Sequence, residues 1–439
     1  LFGWQMFVVG PELEKDAAMQ QAIAEQEAAA AAASGDAPQV DPDAVAGSAG
    51  ATATGQLSAS EAAPAVEAPR IVIDAPLVSG SISLAGLRVD DIMLKAYQQT
   101  QDPDSENIQF LLKTSTAAPF FAEFGWASAD AAQPMPKSDS VWTASSMVLS
   151  PGSPVTLTWE NGNGLTFRRQ LSINDDYMIT VDDSVESALS APLTLFPYGL
   201  VRRHGTPATT GIYILHEGAL GVFDETLREE DYDDMRDADG GVSEIRPEMP
   251  GGWIGFTDKY WLAALLPDQS ANMNFAFKSL AGPSDRYQVD YIASEASVLP
   301  AGGVVSSQTR LFAGAKKVSL LDGYADELGI ANFDLAIDFG WFYFLTKPFF
   351  YAINWLNSLL GNFGLAVLAF TIVVKLVFFP LANKSYRSMG KMRVLSPKIQ
   401  EIRERHADDR MAMNQAIMAL YKEEKVNPAA GCLPVLLQI

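Results

Sequence analysis

Residues 363–381 (FGLAVLAFTIVVKLVFFPL) form an apolar run with a single charge, Lys375, and a basic stretch follows at once. In a helix, a run of this length covers about 28 Å, close to the ~30 Å hydrocarbon core of a bilayer. A membrane span is the expectation that everything else must fit. Residues 381–428 carry ten basic and six acidic side chains, net +4, whereas residues 1–374 carry −27 in a chain of net −22. Lys and Arg collect on the cytoplasmic side of a membrane, so the basic stretch is expected inside and the acidic body on the outer side.

The same charge balance, with a pI of about 4.5, argues against direct binding of nucleic acid, which needs a basic surface. One cysteine, Cys432, excludes an intramolecular disulfide framework and a cysteine-rich metal site. The three histidines (His204, His216, His406) are not close together in a ligand-type spacing, and no GxSxG, HExxH, Walker or Rossmann pattern occurs. No catalytic residue, metal or cofactor is expected. The acidic run 224–239 (DETLREEDYDDMRDAD) fails as a calcium loop. With Gly240 as the loop glycine, Met235 and Arg246 fall where the first and last carboxylates belong. A solvated loop is the expectation there.

Texture divides the rest of the chain. Residues 1–10 (LFGWQMFVVG) are too few to cross a bilayer and are expected to be the remnant of a first transmembrane helix, with a short interfacial anchor as the other reading. Residues 11–70 are rich in Ala, Gly, Pro, Ser and acids and bury too little to offset ordering entropy, so a disordered linker is expected. From residue 71 to 330, short β-forming runs such as 155–159 (VTLTW), 165–171 (LTFRRQL), 177–181 (YMITV) and 211–215 (GIYIL) alternate with turn signals such as Asn161-Gly-Asn-Gly164. This spacing predicts an antiparallel β-sandwich. Residues 338–360 are aromatic but interrupted by Asp338, Lys347, Pro348, Asn354 and Asn357. They read as an interfacial amphipathic helix anchored by Trp341 and Trp355, a first full span being the alternative.

After the span, residues 382–428 read as a helical hairpin. Met389, Met392, Leu395, Ile399 and Ile402 recur at spacings of three and four, and an Asp in the turn 407–409 is placed to cap the second arm. Its methionines, including Met389, Met392, Met411 and Met413, fit either the packed seam of the pair or, with Arg393, an adaptable surface for client segments or partners. Residues 431–439 (GCLPVLLQI) read as the start of a next, truncated transmembrane helix. The fold class expected is thus a multidomain membrane protein, with an outer antiparallel β-sandwich and an α-helical membrane domain bearing a cytoplasmic helical hairpin.

Lys375 admits two readings. A Lys near a helix centre costs about 2.5–3.5 kcal/mol on insertion scales, against roughly −0.3 to −0.6 for each Leu, Ile, Phe or Val. Its long stem can reach headgroups about 9 Å away, beyond Leu381. Otherwise it is the charged wall of a water-filled cavity, with Thr371 one turn earlier on the same face.

Several of these residues resemble one known family. Asn362-Phe-Gly364, Thr371, Lys375, Pro380-Leu381, Tyr386, Met389-Gly-Lys391-Met-Arg393, Pro397-Lys398, Ile402-Arg-Glu-Arg405, then 419–428 (ALYKEEKVNP) and 431–434 (GCLP), resemble the YidC–Oxa–Alb membrane protein insertases, most of all the bacterial YidC branch. Pro197-Tyr198 and 251–261 (GGWIGFTDKYW) resemble that branch's periplasmic domain. The resemblance implies a multi-pass protein of the bacterial inner membrane with its large domain in the periplasm. It implies insertion of nascent membrane proteins through a hydrophilic, positively charged groove open to cytoplasm and lipid, with no enzymatic step. Lys375 stands where the family usually has Arg, which keeps the charge and loses the planar fork, and Thr371 falls on a groove-lining position. Nascent membrane proteins and the lipid bilayer are the implied partners; the Sec translocon, ribosome and signal-recognition machinery remain open. The rivals are a membrane-tethered periplasmic sandwich that binds carbohydrate through exposed Trp or Tyr, and one that docks partner proteins.

Overall fold

The computed structural model describes residues 68–424 apart from 103, 129, 131–132, 210–214, 281–283, 341 and 406–408. The expected first-helix remnant, nearly all of the linker, most of the 211–215 strand, Trp341, and the start of the next span at 431–439 lie outside the described residues. The chain divides into two compact units after Asp338.

The first unit is β-rich. Among the described residues, eleven strands form one sheet, whose path runs Val242–Pro250, Asn272–Leu280, Arg286–Ala293, Leu193–His204, Phe120–Ser128, Val89–Gln98, Val78–Ser83, Arg70–Asp74 and Val148–Leu149. Nine form the other, in the order Thr226–Asp231, Gly218–Phe223, Trp253–Thr257, Trp261–Leu266, Val304–Ala315, Met178–Ser187, Leu165–Ile173, Val155–Glu160 and Thr143–Ala144. Period-two patterning explains the pairing of faces. In Leu165–Ile173 the residues Leu165, Phe167, Arg169, Leu171 and Ile173 are buried, while their neighbours are not. The buried faces of both sheets join in one core, with rings from opposite sheets in contact, Phe120 on Phe256 (6.3 Å) and Phe223 on Phe275 (4.8 Å). One pairing departs from the antiparallel expectation. Arg70–Asp74 runs parallel to Val148–Leu149, because the chain crosses from the edge of one sheet to the edge of the other between 144 and 148.

The acidic run 224–239 is not a plain loop. Thr226–Asp231 is an edge strand whose charges discourage pairing with a further chain, and Asp231 caps the short helix α1 (Tyr232–Asp237) through the backbone N–H groups of Asp233 and Asp234.

Helix α2 (Val318–Leu328) and the turn Phe333–Ala336 carry the packed unit beyond residue 330, where the sequence reading ends it. Phe333 is fully buried, edge-on to Trp253 (5.3 Å) and Phe312 (5.7 Å), and Trp253 Nε1 donates to the Ala331 carbonyl (3.2 Å). Gly252, at φ +91°, is the residue before that tryptophan. A side chain there would meet the Val222 carbonyl, so the 251–253 motif needs glycine to seat Trp253 against the returning chain.

The second unit holds α3 (Tyr343–Leu360), α4 (Phe363–Arg405) and α5 (Arg410–Glu423). Gly361 closes α3 in the left-handed region (φ 65°), donating to the Asn357 carbonyl. Asn362 then accepts from the Leu365 N–H (3.1 Å) at the start of α4. The sequence separates span from hairpin at 381/382, yet α4 runs unbroken through Pro380 and Pro397, about 65 Å of helix. The span and the first hairpin arm share one 3.6-residue periodicity with no intervening stop signal, and each proline removes only one donor.

Candidate functional site: the polar pair on the apolar span

Among the described residues, α4 is the one helix long and apolar enough to cross a membrane. Leu368, Ile372, Leu376, Val377 and Phe379 are each at least 60% exposed, distributed around the helix. A helix apolar on all sides finds a suitable environment only inside protein or hydrocarbon. Within 363–381, Thr371 and Lys375 are the only polar side chains, four residues apart and so on one face. Both are exposed. Thr371 Oγ1 donates to the Val367 carbonyl (2.8 Å), satisfying itself within the helix. Lys375 has no ion pair among the described residues. The pair therefore presents one unneutralised positive charge on an apolar wall.

Helix α3 packs on α4 through Phe349 and Phe370 (5.1 Å, edge-on). Phe344, Tyr351, Trp355 and Leu359 stand exposed at spacings of seven, four and four, one face of the helix. Trp355 is thus on a surface stripe, and Trp341 lies outside the described residues.

The hairpin methionines divide. Met392 and Met413 are half-buried along the seam with Leu395, Ile399, Ile417 and Leu420, while Met411, Met418 and Arg393 are exposed. The side chain of Met389 is outside the described residues. Asp409 caps α5 through the N–H groups of Met411 (2.9 Å) and Ala412 (3.0 Å), and Lys398 joins the arms by an ion pair to Glu424 (2.8 Å).

The β-rich unit carries buried charge of a different kind, which no sequence signal marks. Arg169 grips Asp183 with two bonds (2.6 and 2.7 Å) and donates to the Phe124 carbonyl (2.8 Å) inside the core. A small cleft beside this pair is lined by Trp126, Trp142, Glu123 and Tyr198. Both tryptophans are buried, so neither ring offers the exposed platform of the carbohydrate reading. Further along, Lys316 donates to Thr257 Oγ1 (2.7 Å), and burial pulls its ammonium down to about 8 against the pull of Asp258, Asp338, Glu217 and Glu229. Burial likewise raises the Glu229 carboxyl.

A large β-rich domain followed by a helical arm with a membrane-length helix defines a membrane-anchored protein of two parts. Residues 70–352 match the family described as the YidC periplasmic domain, and residues 355–439 match that described as the 60Kd inner membrane protein. The membrane protein insertase YidC of Beijerinckia indica is 45% identical over 444 residues, covering all of this chain and 72% of its own length. That of Methylobacterium radiotolerans is 44% identical over 458 residues, covering all of this chain and 73% of its own length. The chain belongs to the YidC membrane protein insertase family. Among solved structures, a galactose mutarotase-like protein from Lactobacillus casei aligns with 56% of this chain and 99% of its own, at 11% identity and a TM-score of 0.39.

Proposed function

We propose that the protein is an insertase of the inner membrane, which lowers the barrier for polar tails of nascent membrane proteins to enter and cross the bilayer. The observation that carries this reading is the exposed Thr371–Lys375 pair on an otherwise apolar, membrane-length helix. Hydrated backbone and charge cross hydrocarbon only at a cost of several kcal/mol per group. A hydrophilic groove walled by Lys375 and Thr371, open to cytoplasm and lipid, lets a tail travel part way in water. Its positive potential draws acidic tails in, and the apolar client segment leaves sideways into lipid. No covalent step is needed.

In this reading the chain is multi-pass, with the β-sandwich in the periplasm and the hairpin in the cytoplasm. There Met389, Met392, Arg393, Met411 and Met413 offer an adaptable surface to clients, and to the Sec translocon, ribosome or signal-recognition machinery as partners. Trp341 and Trp355 anchor α3 at the interface. The name of the relatives, insertase, supports a function without chemical turnover.

The test is insertion of two clients differing only in tail charge, in cells that depend on the variant. Lys375→Arg retains function. Lys375→Glu loses insertion of the acidic-tailed client by about tenfold and fares relatively better with the basic-tailed one, because attraction and repulsion exchange places. Equal activity of Lys, Leu and Glu at this position toward both clients would leave only headgroup snorkelling for Lys375 and overturn the groove role.

A further inference from the structure

One surface of the β-rich unit combines the residue types that gather where lipid meets water. The turn joining Trp253–Thr257 to Trp261–Leu266 is closed by the Asp258 N–H on the Trp261 carbonyl (2.9 Å) and holds Lys259 and Tyr260 at its tip. Tyr260 is 59% exposed, with Lys259 Nζ 5.0 Å from its ring centre. Trp261, half-buried, meets Tyr260 edge-on (6.1 Å) and rests on Tyr97 (4.9 Å). Alongside, the Lys316 N–H donates to the Tyr260 carbonyl (2.9 Å), which brings exposed Lys317 to the same side, its Nζ 5.7 Å from the Tyr177 ring.

The acids nearby are engaged. Asp258 is paired to Arg203 (2.7 Å), and Glu217 accepts from the Lys259 N–H (3.1 Å). In a body of strongly negative charge, the two lysines flanking this aromatic turn are out of character. Asp338, where the β-rich unit ends, is one of the charges acting on the Lys316 ammonium, so the turn lies on the side from which the chain departs. From Ile337, packed on the core, to Tyr343 the chain spans at most about 20 Å.

We propose that Lys259, Tyr260, Trp261 and Lys317 form a docking surface on which the β-rich unit rests against anionic phospholipid headgroups. Tyr and Trp place an apolar ring with a polar edge at the headgroup level, and Lys adds attraction to anionic lipid. The continuity of this surface with the departing chain selects lipid as the occupant, since that chain leads directly to the exposed aromatic stripe of α3. The inference rests on the β-rich unit lying outside the cytoplasm.

The experiment uses the full chain with Cys432→Ser, carrying a fluorophore at Tyr260→Cys or at Val304→Cys. Val304 is 55% exposed and begins the strand that ends at Ala315 beside Trp261, roughly 36 Å away. In nanodiscs of phosphatidylglycerol and phosphatidylethanolamine with nitroxide-bearing headgroups, quenching is severalfold stronger at 260 than at 304. Adding Lys259→Glu and Lys317→Glu brings position 260 down to the level of 304. Equal quenching at both sites overturns the docking surface. Shielding of position 260 in native membranes but not in lipid-only nanodiscs assigns the surface to a protein partner and overturns it too. Labelling of Val304→Cys by an impermeant thiol reagent on intact spheroplasts tests sidedness separately. A failure there overturns the topology, whereas a labelled 304 with an unquenched 260 overturns the docking alone.

Discussion

The two units place charge and oil in opposite ways. In the β-rich unit apolar side chains face inward, and the deepest charges are paired, as Arg169 is with Asp183. In the helical unit the large apolar side chains face outward and Lys375 stands without an ion pair. The first unit carries its own low-dielectric interior and must neutralise what it buries. The second awaits an interior supplied by lipid or by further helices, and its lone charge is affordable only where water also reaches. Burial is thus a property of the surroundings each unit is built for.

Breaking the buried pair tests the first half of that contrast with the largest effect. Arg169→Leu leaves Asp183 unpaired in the core and is expected to cost about 3–5 kcal/mol, whereas Arg169→Met with Asp183→Leu recovers most of the loss. Chemical denaturation followed by tryptophan fluorescence measures both. A single-variant loss below about 1 kcal/mol would mean that water reaches the pair.

Lys316 sharpens the comparison, because it is a partly buried charge left short of compensation. Its folded pKa, about 8, lies below the ordinary lysine value of 10.5, so between those limits the unfolded chain binds more protons. Stability contributed by this group therefore rises with pH across that window. The expected gain between pH 7 and 10 is about 1–3 kcal/mol after allowing for solvent screening. Lys316→Met abolishes that pH-dependent part in a denaturation series, and an unchanged pH profile would remove Lys316 as its source.

The smallest effect belongs to the hairpin. Asp409→Ala removes the cap of α5 and is expected to cost about 1 kcal/mol, read as faster amide exchange at Met411 and Ala412, with the β-rich unit unaffected. A change in exchange at Trp253 or Phe333 would show that the two units are coupled.

Much of this division was legible in the residues. The span at 363–381, its polar pair and the capping Asp at 409 follow from local spacing, and the β-forming runs of 155–181 fall on strands as they read. The continuity of α4 was missed, because Pro380 suggests a stop and only the absence of a competing turn overrules it. Residues 331–337 read as a connector, since nothing local reveals that Phe333 fits against Trp253, eighty residues earlier in the chain. The docking turn was quoted only as a motif. Its lysines become a surface when Lys317 folds beside Tyr260 through the Lys316–Tyr260 hydrogen bond.

The sequence by itself determined where oil and charge lie along the chain: an acidic β-forming body, an apolar span with one Lys and one Thr, and a basic hairpin. Those are one-dimensional quantities, carried by period, run length and composition. Only the tertiary structure decided which strands became neighbours, that Arg169 and Asp183 neutralise each other, and that Asn174 reaches Tyr324 across 150 residues (2.6 Å). Such contacts exist because closing long loops is repaid by packing in the shared core, and no local pattern records which distant partner repays it.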